Sequence, residues 1–578
     1  MKRQRSWAIA ALGALLTSLA SWALMQAPPA SFSLSAYVPS GPVLVLEAQN
    51  FSRLLQDWNS SAEKQQWLAG ANHEMFLRSR LLYRLKEAHA EFTAAAGFSP
   101  DMSLAESIAG GESALALYDI GELRFLYVTR LGSARALESL LWQSRANFEP
   151  RNAAGRDYYV RTDAQSGRQA VFAATDDYLL LATAEEPLAQ ALTLLAGQGG
   201  PAVTADAWFS DATQASQGRG ELRLTLNMEA LSQSPHFRSY WVQRNVPDLQ
   251  QYRSAVIDLH REEGVIREER IFLRGTDFLA SPDESREQAL AQVLRLAPPQ
   301  AGLYRAWAAP QQAQVLELLR QKLLDPSIGP GPSSGYAPQV FLGDGAVGSL
   351  AAGSLAALET RIDEPPPALA TGRFSSEALE NLFAENAVAA MLHTESSRSG
   401  VEGVFVKSDV VIALLGSSDW ELLSVFESVA NSIRGGLTVS GIGAGWTQQS
   451  IGAQPAYALT GVDSLFFAVS GRYLLVSNSL ASLGAVLTRM TQPAAEPGAS
   501  FAAGLRHGQE RGNYARLMSH LDFLQGGQVF GNQQREPYFF SENIASLSQA
   551  LVRVDSVSRR VRDEGDSVSD TVIYRIEP

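Results

Sequence analysis

The feature that most constrains the fold of this chain is an internal repeat. Residues 171–192 align without a gap to residues 466–487, which lie 295 positions later. Seven aligned positions are identical; in the first copy they are Phe172, Ala173, Tyr178, Leu179, Leu180, Leu188 and Leu192. A repeat at a fixed spacing indicates that one structural unit occurs more than once. We therefore expect two copies of one unit in the 578 residues.

Each copy of the repeat predicts a strand, a tight turn, a second strand and a helix. The turns are Thr175-Asp176-Asp177 and Ser470-Gly471-Arg472, whose residue types favour sharp reversals between apolar runs. Pro187 suits the first turn of the helix in the first copy. Asn478 or Ser479 suits the N-cap of the helix in the second copy.

Two weaker similarities follow the same order along the chain. Residues 126–144 resemble residues 411–429 at an offset of 285, and each segment predicts a strand leading into a helix. Residues 261–264 resemble residues 562–565 at an offset of 301, and each predicts the turn of a hairpin. The three offsets rise in order, as two copies separated by small insertions require. Chance similarity between amphipathic hairpins is the alternative explanation.

These patterns predict an α+β fold with two tandem homologous halves. Strands that form hairpins, interspersed with single helices, favour mainly antiparallel sheets. We divide the chain into an N-terminal segment at 1–30, a first half at 34–275, a linker helix at 276–297 and a second half at 298–578.

The N-terminal segment has the composition of a signal for export. Lys2, Arg3 and Arg5 precede an apolar run at residues 7–25. That length matches a spanning helix of about 17–25 residues better than a signal core of about 7–15. We expect a transmembrane signal-anchor that holds the body outside the cytoplasm, at the inner membrane of a bacterial envelope. Cleavage after Ser21-Trp22-Ala23 is the alternative, and it would leave a soluble periplasmic or secreted protein.

Composition excludes several classes of function. The chain has no cysteine, so it has no lipoprotein anchor, disulfide, thiol nucleophile or cysteine-ligated metal. Its formal charge of −13 repels phosphate backbones, so we expect no nucleic-acid partner. Apolar residues make up 46 %, which is enough to build a large core without disulfides.

Three short motifs match catalytic or cofactor patterns but lack the required context. Residues 343–348 fit G-x-G-x-x-G without a βαβ series around them, and residues 331–335 fit G-x-S-x-G inside a Gly/Pro/Ser-rich loop. Ser61-Ala62-Glu63-Lys64 fits S-x-x-K, but the K-T-G element of that enzyme class is missing. We interpret Ser60 or Ser61 as a helix N-cap.

Titratable residues also fail to form a recognisable site. The seven histidines are scattered and none forms H-E-x-x-H or H-x-H. The acidic pairs Asp176-Asp177 and Glu262-Glu263 fall in predicted turns, where solvation explains them. We therefore predict no catalytic residue, no cofactor and no metal site.

Two aromatic clusters are the remaining candidates for a binding site. They lie at residues 235–241 and 537–540, each before the closing hairpin of its half. Core packing is one interpretation, because aromatic side chains dominate core burial. The other is a lining for an apolar ligand or a membrane-facing edge, formed by Phe237, Tyr240, Trp241, Tyr538, Phe539 and Phe540.

The repeated segments also carry a family resemblance. With Tyr178-Leu179-Leu180-Leu181, Tyr473-Leu474-Leu475-Val476 and the closing hairpins, the chain resembles a family of bacterial exported proteins classed as a domain of unknown function. The resemblance covers most of the chain after Leu34. It implies one N-terminal membrane segment and a large extracytoplasmic region, and it implies no activity and no catalytic residue.

Three functions are consistent with these expectations. The first is a non-enzymatic envelope protein, tethered to the membrane, that acts as a binding or assembly scaffold for another envelope protein. The second is a carrier of lipid or another apolar ligand between the two halves. The third is an envelope hydrolase whose site is assembled from dispersed residues.

Overall fold

The computed structural model describes most of the chain after residue 32. The described residues are 33–70, 73, 80–235, 249–324, 375–399, 406–437, 445–451, 454–460, 464–495, 497–513 and 551–577. The expected membrane segment, the two glycine motifs at 331–335 and 343–348, and the six aromatic candidates lie outside these residues. Within the described ranges, no helix has both the length and the apolar character needed to cross a bilayer.

The described strands are long and numerous. In chain order they are β1 (Leu44–Ala48), β2 (Ser113–Asp119), β3 (Arg124–Arg130), β4 (Glu149–Ala153), β5 (Arg156–Thr162), β6 (Gln169–Thr175), β7 (Tyr178–Ala182), β8 (Leu222–Asn227), β9 (Tyr252–Glu262), β10 (Val265–Arg274), β11 (Leu303–Ala308), β12 (Val388–Ser399), β13 (Val406–Gly416), β14 (Gly445–Ile451), β15 (Gln454–Thr460), β16 (Leu465–Ser470), β17 (Tyr473–Ser477), β18 (Phe501–Leu505), β19 (Val554–Asp563) and β20 (Ser567–Ile576).

Helices lie between the strands. They are α1 (Phe51–Ser60), α2 (Ala62–Ala69), α3 (Arg80–Ala96), α4 (Met102–Ile108), α5 (Ser133–Glu138), α6 (Leu140–Gln143), α7 (Glu185–Leu195), α8 (Ala207–Ala215), α9 (Met228–Gln233), α10 (Glu284–Leu294), α11 (Gln312–Leu319), α12 (Glu377–Glu385), α13 (Leu422–Leu437) and α14 (Leu480–Thr488). A single π-helical turn, Arg320–Leu324, extends α11. The fold is thus α+β, as the alternation of hairpins and helices predicts.

All twenty described strands belong to one antiparallel sheet. Its first ten strands pair in the order β4-β5-β6-β7-β3-β2-β1-β8-β9-β10. The next ten pair in the order β14-β15-β16-β17-β13-β12-β11-β18-β19-β20. A nine-pair ladder between β10 and β20 joins the two sets, so β4 and β14 are the outer edges.

The local structure of the repeated segments follows the sequence patterns. Asp176 and Asp177 form the turn between β6 and β7, and α7 begins three residues after β7. In the second segment Ser479 is the N-cap, since its hydroxyl accepts a hydrogen bond from the backbone N–H of Ser482 at 3.4 Å. The predicted strand–turn–strand–helix arrangement is therefore confirmed at both places.

Both closing hairpins have two-residue turns, but the glycine occupies a different position in each turn. Glu262 pairs directly with Val265, so Gly264 is the second turn residue of the β9–β10 hairpin. In the β19–β20 hairpin the N–H of Glu564 donates to the carbonyl of Ser567, so Gly565 is the first turn residue. Both glycines have a positive φ, 70° for Gly264 and 92° for Gly565, and residues with a side chain rarely adopt such values. An alignment of the two hairpins by their glycines therefore differs by one residue from an alignment by their strand pairing.

The hydrophobic core lies on both faces of the sheet. Helices α3, α4 and α7 contribute buried residues to the two clusters that sandwich β3, β6 and β7. Helices α11, α12 and α13 pack on one face of β12, β13 and β17, while α10 and α14 pack on the other. The buried side chains of α10 include Leu290 and Val293, so the helix expected at 276–297 is part of this core. These layers bury ionisable groups as well as apolar ones.

Candidate functional site

A group of ionisable side chains is buried on the sheet face that α11 covers. We call it the β11–β12 polar cluster, and it consists of Arg305, Lys322, His393, Glu395, Ser397 and Glu510. Side chains two residues apart on a strand share a face, so β12 places His393, Glu395 and Ser397 in one line. Arg305 lies directly opposite His393 in the β11–β12 ladder. His393 is 2 % exposed and Glu395 is 4 % exposed.

Glu395 holds the centre of the polar cluster. Its Oε2 lies 3.2 Å from Nζ of Lys322, which reaches the sheet from the π-helical turn after α11. The same oxygen lies 3.4 Å from Nε2 of His393, a distance too long for a good hydrogen bond. Removing either partner of such a buried ion pair leaves an uncompensated charge. The Lys322–Glu395 pair therefore fixes the π-helical turn against β12.

The imidazole of His393 is held neutral by its surroundings. Burial lowers its pKa, because desolvation disfavours the imidazolium ion. The neighbouring Glu395 carboxylate raises the pKa, while the charges of Lys322 and Arg305 lower it. Neither ring nitrogen has a hydrogen-bond partner within the described residues. A buried neutral histidine of this kind becomes destabilising when acid forces it to take a proton.

Glu510 joins the polar cluster from the helical residues 507–513 that follow β18. Its Oε2 accepts a hydrogen bond from the backbone N–H of Ser397 at 3.1 Å and another from the Ser397 hydroxyl. Gly302 makes room for it, because a Cβ at that position would collide with the Glu510 carboxylate. Burial raises the pKa of Glu510, the Ser397 hydrogen bonds lower it, and the negative charge of Glu395 raises it further.

The polar cluster does not have the geometry of a catalytic centre. The Ser397 hydroxyl donates to Glu510, so it is not activated by His393. The carboxylates and the imidazole are almost inaccessible to solvent, whereas a substrate must reach its acid or base. Among the described residues, no group of three or more metal-ligating side chains comes together. The arrangement is suited to fixing the elements around β12.

Sequence reasoning missed this cluster. Linear histidine motifs do not reveal it, because His393 belongs to none of them. A usable signal exists in β12, where His393 and Glu395 follow Met391 at every second position, on the sheet face that α11 covers. Two ionisable residues on the buried face of a strand require partners, because an unpaired buried charge is costly.

A second buried ionic group lies where β10 meets β20. We call it the seam cluster, and it consists of Glu268, Arg270, Arg559, Asp570 and Tyr574. Asp570 is 1 % exposed and accepts hydrogen bonds from Nε of Arg559 at 2.9 Å and from Nη1 of Arg270 at 3.2 Å. Arg270 also pairs with Glu268. One carboxylate thus connects three neighbouring strands, β10, β20 and β19.

The seam cluster is buried, and its charges compensate one another. Burial raises the pKa of Tyr574 to about 12, and the nearby negative charge of Glu268 adds to the rise. For Arg270, burial lowers the pKa, but the carboxylates of Glu268 and Asp570 outweigh it and raise the pKa overall. Arg559 and Arg270 each have a carboxylate against the guanidinium group. The seam is therefore held by charged hydrogen bonds as well as by the ladder.

The seam and polar clusters lie on the same face of the sheet. Arg559 is opposite Ala503 in the β18–β19 ladder, and Ala503 is opposite Arg305 in the β11–β18 ladder. Arg305 is in turn opposite His393. One row of opposed residues on four strands, β12, β11, β18 and β19, therefore connects the two clusters, with the small Ala503 between two arginines. Arg559 also lies over the ring of Phe501, with 5.6 Å from its Cζ to the ring centroid.

The residues singled out by S-x-x-K have a structural role. The hydroxyl of Ser61 accepts a hydrogen bond from the backbone N–H of Lys64 at 3.1 Å, which makes Ser61 the N-cap of α2. Nζ of Lys64 donates to the side-chain oxygen of Asn59 at 2.5 Å. The predicted N-cap is confirmed, and the lysine is not directed at the serine hydroxyl as an acyltransferase would need.

Two surface clefts lie on the first half of the sheet. One, of about 460 Å³, lies between α1 and α4 and is lined by Gln56, Asn59, Glu106 and Arg135. The other, of about 650 Å³, lies by the β4–β5 and β6–β7 turns and is lined by polar groups beside Trp142 and Tyr159. In the second cleft Nη1 of Arg156 is paired with Asp176 at 2.5 Å. Both clefts are open to solvent.

Comparisons with known proteins give little further information. No protein-family model matches the chain, and no curated protein matches it. Among solved structures, crystal form I of TP0453 is similar at 12 % identity over 43 % of this chain and 80 % of that chain, with a TM-score of 0.24. Crystal form III of TP0453 is similar at 10 % identity over 43 % of this chain and 82 % of that chain, with a TM-score of 0.23. TM-scores this low carry no argument about fold or function.

Proposed function

We propose that the body of this protein consists of two homologous copies of one ten-strand unit. The identical pairing order of β1–β10 and β11–β20 supports this, and so does the register. Leu126 lies opposite Ala182, and Val411 lies opposite Ser477. The two members of these pairs are displaced by 285 and 295 positions, which are the offsets of the two aligned sequence segments. Sequence similarity and strand register thus agree independently.

Aromatic packing supports the same proposal. In the first unit Tyr159 stacks on Phe172 at 5.2 Å between ring centroids, and Phe148 meets Phe172 edge-on at 5.1 Å. In the second unit Tyr457 stacks on Phe467 at 5.4 Å, and Trp446 meets Phe467 edge-on at 5.6 Å. Two copies of one ancestral core account for this agreement.

The polar cluster then marks a difference between the copies. Corresponding positions in the two copies can be found by following the strand pairing outward from the aligned residues Leu126 and Val411. The counterparts of Arg305, His393 and Glu395 are then Leu46, Leu115 and Leu117. Three leucines in the first copy correspond to three ionisable groups in the second. Since burying charges is costly, the interiors of the two copies differ in physical character at these three positions.

For the whole chain we propose a membrane-tethered, non-enzymatic scaffold on the extracytoplasmic side of a bacterial envelope. The observation that carries the proposal is the β10–β20 ladder with its buried Arg270–Asp570–Arg559 hydrogen bonds. A carrier that holds an apolar ligand between two units needs a cavity where they meet. Here the units meet as neighbouring strands of one sheet, which favours a rigid body that presents surfaces.

Location and tether are tested in cells with the full chain. Because the chain has no cysteine, a single Asn152→Cys variant on the exposed strand β4 gives one labelling site. A membrane-impermeant maleimide should label it without lysis of the inner membrane, and the protein should remain in the membrane after an alkaline wash. Labelling only after lysis contradicts the location, and release by alkali contradicts the tether.

The absence of a carried ligand is tested on the purified full chain. Native mass spectrometry in mild detergent should give masses without a stoichiometric lipid, and cross-linking in cells should give adducts that contain this chain. One tightly bound lipid per chain would support the carrier instead. Hydrolysis of an envelope substrate that Glu395→Gln abolishes and Glu186→Gln leaves unchanged would support the hydrolase.

A further inference from the structure

The two outer edges of the sheet differ in how they are protected. An edge strand presents unpaired N–H and C=O groups, so it is a template for another strand unless charge, proline or a covering element blocks it. Strand β4 forms one edge and strand β14 forms the other, since within the described residues each pairs with a single neighbour. A comparison of the two edges shows which of them can accept a partner.

Strand β4 is blocked in three ways. Pro150 lacks an N–H group and cannot donate to an added strand. Glu149 and Arg151 are exposed charges on the same short strand. Nη1 of Arg151 is in addition tied to Glu185 at 2.6 Å, which holds the arginine beside the edge. These are the devices by which natural proteins prevent edge-to-edge pairing.

Strand β14 has none of these devices. Its sequence, Gly-Trp-Thr-Gln-Gln-Ser-Ile, contains no charge and no proline. Thr447, Gln448 and Ser450 are exposed. Trp446 anchors the strand, because its ring packs edge-on against Phe426 at 5.5 Å and against Phe467 at 5.6 Å. The edge is therefore held in place while its polar, uncharged residues face solvent.

We propose that β14 pairs antiparallel with β14 of a second copy of this chain, so that two bodies share one continuous sheet. This inference rests on the proposed scaffold function and names the partner of the scaffold. Strand β14 itself carries no charge, so its pairing with a second copy brings no like charges face to face. Antiparallel pairing about a twofold axis at Gln448 places this amide opposite its own copy, and amides both donate and accept hydrogen bonds.

The fold already uses this mode of joining. Strands β10 and β20 are the closing strands of the two ten-strand sets, and they pair antiparallel over nine residues. In the proposed dimer, two β14 strands pair antiparallel between molecules in the same way, and each copy contributes up to seven residues. Main-chain hydrogen bonds supply the affinity in such strand addition, and exposed side chains supply the register.

Cysteine cross-linking tests the pairing in the full chain. Opposed residues of an antiparallel pair have Cα atoms about 4.5–5.5 Å apart, within the range of about 4.4–6.8 Å that a disulfide spans. Under mild oxidation in detergent, Gln448→Cys should form a disulfide-linked dimer at least tenfold faster than the control Asn152→Cys on β4. Equal rates for the two variants would overturn the proposal.

Charge insertion provides the second measurement. Gln448→Lys places two lysines face to face, so the dissociation constant from analytical ultracentrifugation should rise at least tenfold, while Asn152→Lys should leave it unchanged. Circular dichroism establishes that each variant is folded. A wild-type chain that is monomeric, or a dimer insensitive to Gln448→Lys, refutes self-pairing, as does cross-linking of Gln448→Cys to a different polypeptide. None of these results alters the maleimide and alkaline-wash tests, so the scaffold proposal stands or falls separately.

Discussion

The seam cluster yields the sharpest prediction about stability. Asp570→Ala removes the carboxylate that Arg559 and Arg270 share, and all three residues are at most 4 % exposed. Arg270 keeps Glu268 as a partner, but Arg559 loses its ion pair in a dry environment. Breaking a buried pair from one side costs about 3–5 kcal/mol. Because Arg270 remains compensated, we expect the lower end, about 3 kcal/mol, which is roughly a hundredfold in the opening equilibrium.

The measurement must report on the seam rather than on the whole chain, because a chain of this size need not unfold in one step. Hydrogen exchange resolved by peptide, on the full chain in mild detergent, gives local opening free energies. Peptides that cover β10 and β20 should lose roughly a hundredfold in protection, while peptides that cover β5 and β6 should not change. The matched control is Glu186→Ala, which removes the exposed Arg124–Glu186 pair at 2.6 Å and should cost about 0–1 kcal/mol.

A double variant tests the physical reason. Asp570→Leu combined with Arg559→Leu removes both members of the pair, so no charge is left without its partner. Apolar replacement of a buried ion pair is often neutral. We therefore expect the double variant to be more stable than Asp570→Ala at the seam. If Asp570→Ala matches Glu186→Ala in protection, or if the double variant is the least stable of the three, the reasoning about buried charge is wrong.

Three further predictions concern the polar cluster and the S-x-x-K segment. The pKa of Glu510 is raised in the folded protein, so its ionisation weakens the fold as the pH rises from about 4.5 through the folded pKa. We expect Glu510→Gln to be more stable than the wild type at pH 7 and to lose this advantage at pH 4. Urea unfolding at each pH measures the difference. The pKa of His393 is lowered in the folded protein, so its contribution to stability is present above about pH 6.5 and is lost on acidification. In His393→Gln the urea concentration at the midpoint of unfolding should therefore change less between pH 7 and pH 5 than it does in the wild type. Ser61→Ala removes a helix cap and should cost about 1 kcal/mol in the exchange protection of α2, while Ser60→Ala should cost less, since its hydroxyl bonds the preceding helix. A pH-independent difference between each cluster variant and the wild type, or equal effects of the two serine variants, would contradict these assignments.

The scaffold proposal also explains why the buried ionic groups lie where they do. The seam cluster joins the two ten-strand sets, and the polar cluster ties β12 to the π-helical turn and to residues 507–513. Both act between elements distant in the sequence. Buried polar contacts require one specific geometry, because misplacing them leaves charges unpaired. If the body is the scaffold that we propose, such contacts favour the single rigid arrangement that it needs.

Much of the local structure was predictable from sequence, because it depends on neighbouring residues. The turn at Asp176-Asp177, the cap at Ser479 and the helices that follow their strands each arise within a few positions. The division into a strand-rich α+β fold followed from the same patterns. The clusters at His393 and Asp570 were not predictable in this way, because their partners lie on other strands. Cross-strand neighbours depend on register, and sequence spacing does not reveal it.

The sequence by itself determined the periodicities, the caps and the repeated segments, because these follow from alternation, turn residues and the aligned leucines. Only the tertiary structure decided that β10 and β20 unite the twenty described strands in one sheet and that Arg559 and Arg270 share Asp570. It also decided that β14 has one strand neighbour among the described residues. The physical reason is that hydrogen bonds between distant strands and burial of charge arise only when the chain is assembled. A strand becomes an edge by the position of its neighbours, and not by its own residues.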